Sequence, residues 1–266
     1  DNNYPDVTPE RDGKRLIVQP NTFNMYCHRE PRFYLTVVWN GQWFKWENRN
    51  TNFLYGGPDG GPTHDAPQNG YLNRSRVSLD YIPRDNNHPY RPAIIFRMAE
   101  AYLSYAEALN ECSERMSYEQ EILNNLNKIR HRAGIAEYGT GTDENGFTRI
   151  KINFADQKEV RRLIHKERRV EFVGEGIRYH DLRRWKTAHY GIGNMNEQGE
   201  NPDWGVNGPD HGMNYYGTEY TDQGDNAFFK RTKYMDRVYP RKFYWYPIHQ
   251  SEIDKDPTLV QGPFWL

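Results

Sequence analysis

The sequence predicts a mainly α fold, with an antiparallel helix hairpin and further charged helices set among long irregular loops. Three observations predict it. Apolar residues recur at three- and four-residue spacing from Ile95 to Leu109 and again from Tyr118 to Ala133, and a highly charged stretch from Asp156 to Trp185 overlies a third apolar stripe. Elsewhere Gly, Pro, Asn and Asp are dense enough to interrupt both helices and strands.

In the hairpin, 93–134, Pro92 is placed to open the first helix, and Ile95, Met98, Ala99, Tyr102, Tyr105, Ala106 and Leu109 share one face. Ser117 with Gln120 three residues later has the form of a capping box for the second helix. Its stripe, Tyr118, Ile122, Leu126, Ile129 and Ala133, runs into Gly134, which can take the left-handed conformation that stops a helix. The small Ala side chains permit close approach, as in a tetratricopeptide-type pair, and such units bury their faces by stacking on neighbours.

Residues 139–153 read as a polar excursion, followed by the charged helices, 156–188. Asp156 and Glu159 open a third helix running to about Phe172, Gly174 and Gly176 interrupt it, and a short fourth helix extends from about Arg178 to Thr187. The closing segment, 189–266, is irregular, with a Gly-, Asn- and Asp-rich excursion to Asp225 and an aromatic, partly extended stretch from Tyr239 to Ile248. Residues 1–92 are loop with strand fragments, of which Phe33–Trp39 is the best candidate.

Composition narrows the function. A hydrophobic share of 36% with 15% aromatics means that much of the apolar area comes from Tyr, Trp and Phe, which serve cores and sugar-facing surfaces alike. With 35 Lys and Arg against 36 Asp and Glu and no basic block, the phosphate-neutralising surface that nucleic acid requires is not visible. Cys27 and Cys112 are too few for a disulfide framework or a thiolate metal cluster and leave one bridge or two free thiols open. No apolar run approaches the roughly 20 residues of a spanning helix, and the first thirty residues have no secretory signal pattern.

The charged stretch holds Glu167 and Glu171, four residues apart and on or beside the apolar face. Paired carboxylates perform acid–base chemistry in glycosidases. Here Arg168, Arg169, Arg178, Arg183 and Arg184 can supply matching guanidinium forks, which favours structural ion pairs over catalysis. The histidines show no zinc-ligand spacing and no Gly-x-Ser-x-Gly elbow occurs, so no metal and no nucleophile are expected. Gly56–Pro62 lacks the Lys and Ser/Thr of a phosphate loop, and Asp143, Asn145 and Gly146 lack the order of a calcium loop, so both are read as turns.

The aromatic cluster Trp39, Trp43, Trp46, Phe53 and Tyr55 is interleaved with Gln42, Asn48, Arg49 and Asn52. Flat apolar faces beside amide groups suit a sugar, which presents a C–H face and a hydroxyl rim, and Trp39, Trp43, Trp46, Asn48 and Tyr55 are the predicted ligand contacts.

The motifs Arg29-Glu-Pro-Arg-Phe33, Arg97-Met-Ala-Glu-Ala-Tyr-Leu-Ser-Tyr-Ala-Glu107, Glu167-Arg-Arg-Val-Glu-Phe-Val-Gly-Glu-Gly-Ile-Arg-Tyr-His-Asp-Leu-Arg-Arg-Trp185 and Tyr244-Trp-Tyr-Pro-Ile-His-Gln-Ser-Glu252 together resemble the C-terminal half of the SusD/RagB family of outer-membrane nutrient-binding lipoproteins. The resemblance implies a SusD-like fold over 1–266, with 1–92 as the ligand-facing segment. It implies a protein of polysaccharide utilisation that captures glycan at a Gram-negative cell surface without chemistry or cofactor and hands it to a SusC-like TonB-dependent transporter. Membrane attachment would come only through an N-terminal lipid anchor absent from this sequence, which would be a piece covering the second half. It also implies that Glu167, Arg168, Arg169, Glu171, Arg178, Asp181 and Arg184 form a structural ion-pair network. Two alternatives stay open: a RagB-like peptide binder, and a glycoside hydrolase using Glu167 and Glu171.

Overall fold

The computed structural model describes residues 18, 21–44, 47–75, 77, 85–86, 88, 90, 92–191 and 205–265. The chain divides into two compact units, Asp1–Glu175 with Gly212–Thr232 and Gly176–His211 with Lys233–Leu266. Helices dominate: α1 Pro31–Thr36, α2 Met98–Glu111, α3 Glu119–Arg132, α4 Gln157–Glu171, α5 Ile177–Arg184 and α6 Gln250–Lys255. The strands form only two-stranded pairs: β1 Val37–Trp39 with β4 Tyr71–Asn73, β2 Trp43–Phe44 with β3 Arg49–Asn50, and β5 Gly208–Gly212 with β6 Thr232–Arg237. The fold is therefore mainly α, as the sequence predicts.

In the first unit α2 packs against both α3 and α4. Leu103 and Ala106 of α2, Ile122 and Leu126 of α3, and Val160 and Ile164 of α4 are all fully buried, so the apolar stripes meet as their periods require. Gly134 ends the second helix at φ +68°. Asp156 caps α4 by accepting from the backbone N–H groups of Lys158 and Glu159. Beyond α4, Gly174 sits at φ +78°, and a Cβ there would lie 2.2 Å from Ser75 Oγ and 2.4 Å from Asn73 Nδ2, so only glycine lets this turn press against the end of β4.

Three local expectations differ from the structure. Residues 92–97 are not helical: Ile94, Ile95 and Phe96 are exposed and α2 begins at Met98. The cause is Arg97, whose Nε donates to Glu175 Oε2 at 2.9 Å and whose Nη1 donates to Glu171 Oε1 at 2.5 Å, holding that residue extended. The capping box does not form, because the Ser117 hydroxyl donates to the Glu114 carbonyl at 2.6 Å and Gln120 donates to Asn124 at 2.8 Å. Nor is Phe33–Trp39 extended throughout. Pro31 at the first helical position starts α1, and only Val37–Trp39 pairs as a strand, in register Val37↔Asn73 and Trp39↔Tyr71.

The aromatic content forms a second core in the same unit, where Tyr26, Tyr34, Trp39, Phe53, Phe228 and Phe229 pack together and Phe23 stacks on Phe229 at 3.7 Å between centroids. In the second unit a smaller core of Leu182, Ala188 and Tyr239 is closed by Val206 and Tyr244. There the Arg183 guanidinium donates to the Tyr244 carbonyl at 2.7 Å and the Tyr246 hydroxyl at 2.8 Å.

Between α1, α3 and α4 lie ion pairs whose carboxylates are almost wholly buried. Glu167 accepts from Arg32 Nη1 at 2.6 Å and from Arg130 Nη1 at 2.9 Å, with its side chain 3% exposed. Glu171, equally buried, accepts from Arg97, from Arg132 and, at 3.1 Å, from Arg32. Removing one member of such a group strands an unpaired charge in the interior. Glu167→Ala should therefore lower unfolding stability by about 3–5 kcal/mol, read as a shift of the urea midpoint. A loss below about 0.5 kcal/mol, the level of a surface substitution, would contradict a buried role.

Candidate ligand-binding site

The predicted contacts separate on folding. Trp39 corrects the expectation: it is 0% exposed, its ring 5.4 Å from Tyr34 and 5.5 Å from Phe33 between centroids, because β1 turns it into the aromatic core. Trp43 is half-buried in β2, opposite Asn50. Asn48 is exposed at φ +51°, a conformation asparagine tolerates in turns. Trp46 lies outside the described residues.

Tyr55 acquires neighbours that no sequence pattern links to it. Its ring lies 6.1 Å from Tyr215 and 5.5 Å from Tyr216, and those two meet edge to face at 5.1 Å, so three tyrosines form a triangle across two loops. Tyr216 is 70% exposed. The loops are tied by the Tyr55 N–H donating to the Gly217 carbonyl at 2.8 Å. Gly61 makes room for the triangle, since a Cβ there would come within 2.6 Å of the Tyr215 ring.

The loop carrying Tyr55 is pinned at its base. Arg49 donates through two nitrogens to Asp59, at 2.6 and 2.8 Å, and Asp59 also accepts from the Asn52 N–H at 2.8 Å. The Arg49 fork holds the Asp59 carboxyl below the usual carboxylate range, more than offsetting the upward push of burial. Gly56–Pro62 is thus a turn built on an ion pair.

Glu167 and Glu171 have a different fate. All four of their carboxylate oxygens accept from arginine, and the guanidiniums come from α1, α3 and the start of α2 rather than from the flanking run in which the sequence placed them. Arg168 instead donates to Ser104 Oγ at 3.0 Å and lies 3.8 Å from Glu107, while Arg169 is exposed. In the second unit Arg184 pairs with buried Asp181 at 2.9 Å, and Arg178 is half-buried in the first turn of α5. Asp143 likewise spends its oxygens on backbone N–H groups, those of Glu137, Asn145 and Phe147, as the core of a turn.

The SusD family model matches residues 7–265. This chain belongs to the SusD family. SusD-like protein P25 of Formosa agariphila is 35% identical over 109 residues, 41% of this chain and 18% of that protein. A crystal structure of a SusD-like protein from Bacteroides fragilis superposes with a TM-score of 0.63 at 26% identity, covering 98% of this chain and 43% of the other. The structure of BT4246, at 24% identity, superposes with a TM-score of 0.66 and covers 98% and 42% of the two chains. This SusD-family chain thus spans less than half the length of the solved structures it matches.

The state of Glu171 makes the network sensitive to acid. Burial pushes its carboxyl upward, but hydrogen bonds from Arg132 and Arg97 outweigh burial and leave it below the ordinary value of 4.5. A group depressed in the folded state contributes stability above its unfolded pKa and loses it as pH falls through the folded one. The urea midpoint should therefore hold steady from neutral pH down to about pH 5 and decline below about pH 4.5, and Glu171→Gln should flatten that decline. An unchanged acid limb in the variant would show that other carboxylates govern it.

Proposed function

We propose that this chain carries the ligand-gripping part of a cell-surface carbohydrate-binding protein, one that captures an oligo- or polysaccharide without cleaving it. In this reading the protein is held at the outer membrane of a Gram-negative cell by a lipid anchor and delivers its cargo to a SusC-like TonB-dependent transporter. The observation that carries the reading is the tyrosine triangle of Tyr55, Tyr215 and Tyr216, raised on loops fixed by the Arg49–Asp59 pair. Ring faces accept the C–H side of a sugar, and phenolic hydroxyls and the neighbouring Asn48 and Asn52 amides answer its hydroxyl groups. Trp43 adds a half-buried ring on the adjoining hairpin.

Hydrolysis fits poorly. A glycosidase needs one carboxylic acid to donate and one carboxylate to attack or activate water, and Glu167 and Glu171 are buried with every oxygen engaged by arginine. Membership of the SusD family and its SusD-like relatives support the carbohydrate reading. A peptide cargo, the RagB-like alternative, would meet the same rings and is separated by assay.

Titration of the chain with neutral oligosaccharides and with peptides, by calorimetry, tests the proposal. Tyr216→Ala and Tyr55→Ala should each weaken glycan binding about tenfold, near 1.4 kcal/mol, with the melting temperature little changed for Tyr216→Ala. Trp39→Ala should instead unfold readily, losing about 3–5 kcal/mol. Saturable peptide binding with no response to any glycan would reject the sugar assignment.

A further inference from the structure

A concavity lies in the first unit, a cleft of about 480 Å³ lined by α1, by Tyr138 and Ile150 and by α4. Its floor is apolar, from Phe33, Leu163, Val170 and Val173, and its charge is one-sided. Arg32 and Arg130 line it but are spent on Glu30 and Glu167, the only two carboxylates among the lining residues. Arg29, Arg162, Lys166 and Arg169 also line it. Among the described residues Arg162 and Lys166 make no ion pair, and the Arg29 guanidinium lies over the Phe33 ring at 5.3 Å.

Arg162, Lys166 and Arg169 fall at i, i+4 and i+7 on α4, a single stripe that advances about 10 Å along the helix. Like charges at this spacing repel and weaken a helix. Two other arginines of the helix lie outside this row: Arg161 meets Glu111 at 2.5 Å, and Arg168 is turned inward to Glu107 and Ser104. A row of cations held over an apolar floor, beside a cleft large enough for a few sugar rings, has the form of a receptor for regularly spaced anionic groups.

We infer that this cleft binds an acidic oligosaccharide, one carrying a carboxylate or a sulfate on successive residues, with Arg162 and Lys166 meeting the anions and the Phe33 side of the cleft meeting a ring face. The inference extends the glycan-capture reading and rests on it for the saccharide class. It adds a site distinct from the tyrosine triangle. A stiff polymer with one charge per repeat suits a fixed cationic row better than a flexible acidic peptide, which loses more freedom on binding.

The test is calorimetric titration, at low and at physiological salt, with an oligogalacturonate, a sulfated carrageenan oligosaccharide, a neutral malto-oligosaccharide of equal length and an oligoglutamate of equal charge. The full chain and the variants Arg162→Met/Lys166→Met, Lys166→Met and Tyr216→Ala are compared, with thermal melts to verify folding. At least one acidic saccharide should bind, more weakly as salt rises. Affinity should fall tenfold or more in the double variant, fall less in Lys166→Met, and hold in Tyr216→Ala. The response of the carboxylated against the sulfated ligand identifies the anion. Equal binding by the double variant, or oligoglutamate binding as tightly as either acidic saccharide, would overturn the inference. Neutral glycan binding through Tyr216 with no acidic binding anywhere would overturn it too, while leaving the proposed function standing; silence toward every saccharide would reject both.

Discussion

Two carboxylates in the interior set the terms for the first unit. Glu167 and Glu171 are on the face of α4 that also carries Val160 and Ile164, and that face is buried. A buried charge is tolerated only when its partners are fully supplied, and they come from Arg32 in α1, Arg130 and Arg132 in α3, and Arg97 at the start of α2. Three of the four guanidiniums are held further: Arg97 lies over the Phe172 ring at 4.8 Å and Arg130 over Tyr138 at 4.1 Å, and Arg32 is additionally held by Glu30. Apolar packing alone would allow the three helices and α1 to slide. Directional forks admit one arrangement, so the ion pairs act chiefly as a register.

That register reaches the loops of the tyrosine triangle by a short covalent route. Arg32 anchors α1, α1 runs directly into β1, and β1 delivers Trp39 into the aromatic core on which Phe53, Phe228 and Phe229 pack. The chain emerging from either side of Phe53 and Phe228 forms the loops that present Tyr55, Tyr215 and Tyr216. Charges thus define the base, buried rings the platform, and the tyrosine triangle the proposed gripping surface. The same aromatic residue types serve both of the last two layers, and only backbone direction separates Trp39 from Tyr216.

This layering explains which features the sequence made legible. Helices α2, α3 and α4 are long enough for a 3.6-residue period to register, and the Asp156 cap and the Gly134 stop are local chemistry. Short elements lack that signal. In α1, Phe33–Thr36 read as the start of a strand, while tertiary anchoring of Arg32 and the proline at the first helical position make this stretch helical. The onset of α2 differs from the periodicity for the converse reason, since Arg97 is drawn away by Glu171 and Glu175. That Glu167 and Glu171 would be ion-paired was readable from their helical face, but the identity of the guanidiniums was not: nearby arginines share the segment, and the true partners are 37 to 139 residues away. Tyr215 and Tyr216, far from Tyr55 in the chain, sit in a Gly- and Asn-rich stretch without a period, so only the fold brings them together.

Gripping without chemistry is most directly tested by nuclear magnetic resonance of the chain with isotopically labelled tyrosine rings, titrated with a neutral oligosaccharide the protein binds, while the sugar is analysed for new reducing ends. Ring signals of Tyr55, Tyr215 and Tyr216 should move with saturation, those of buried Tyr26 and Tyr34 should stay fixed, and the oligosaccharide should be recovered intact. Saturation that leaves the three tyrosines of the triangle unmoved, or release of shorter sugars, would contradict it.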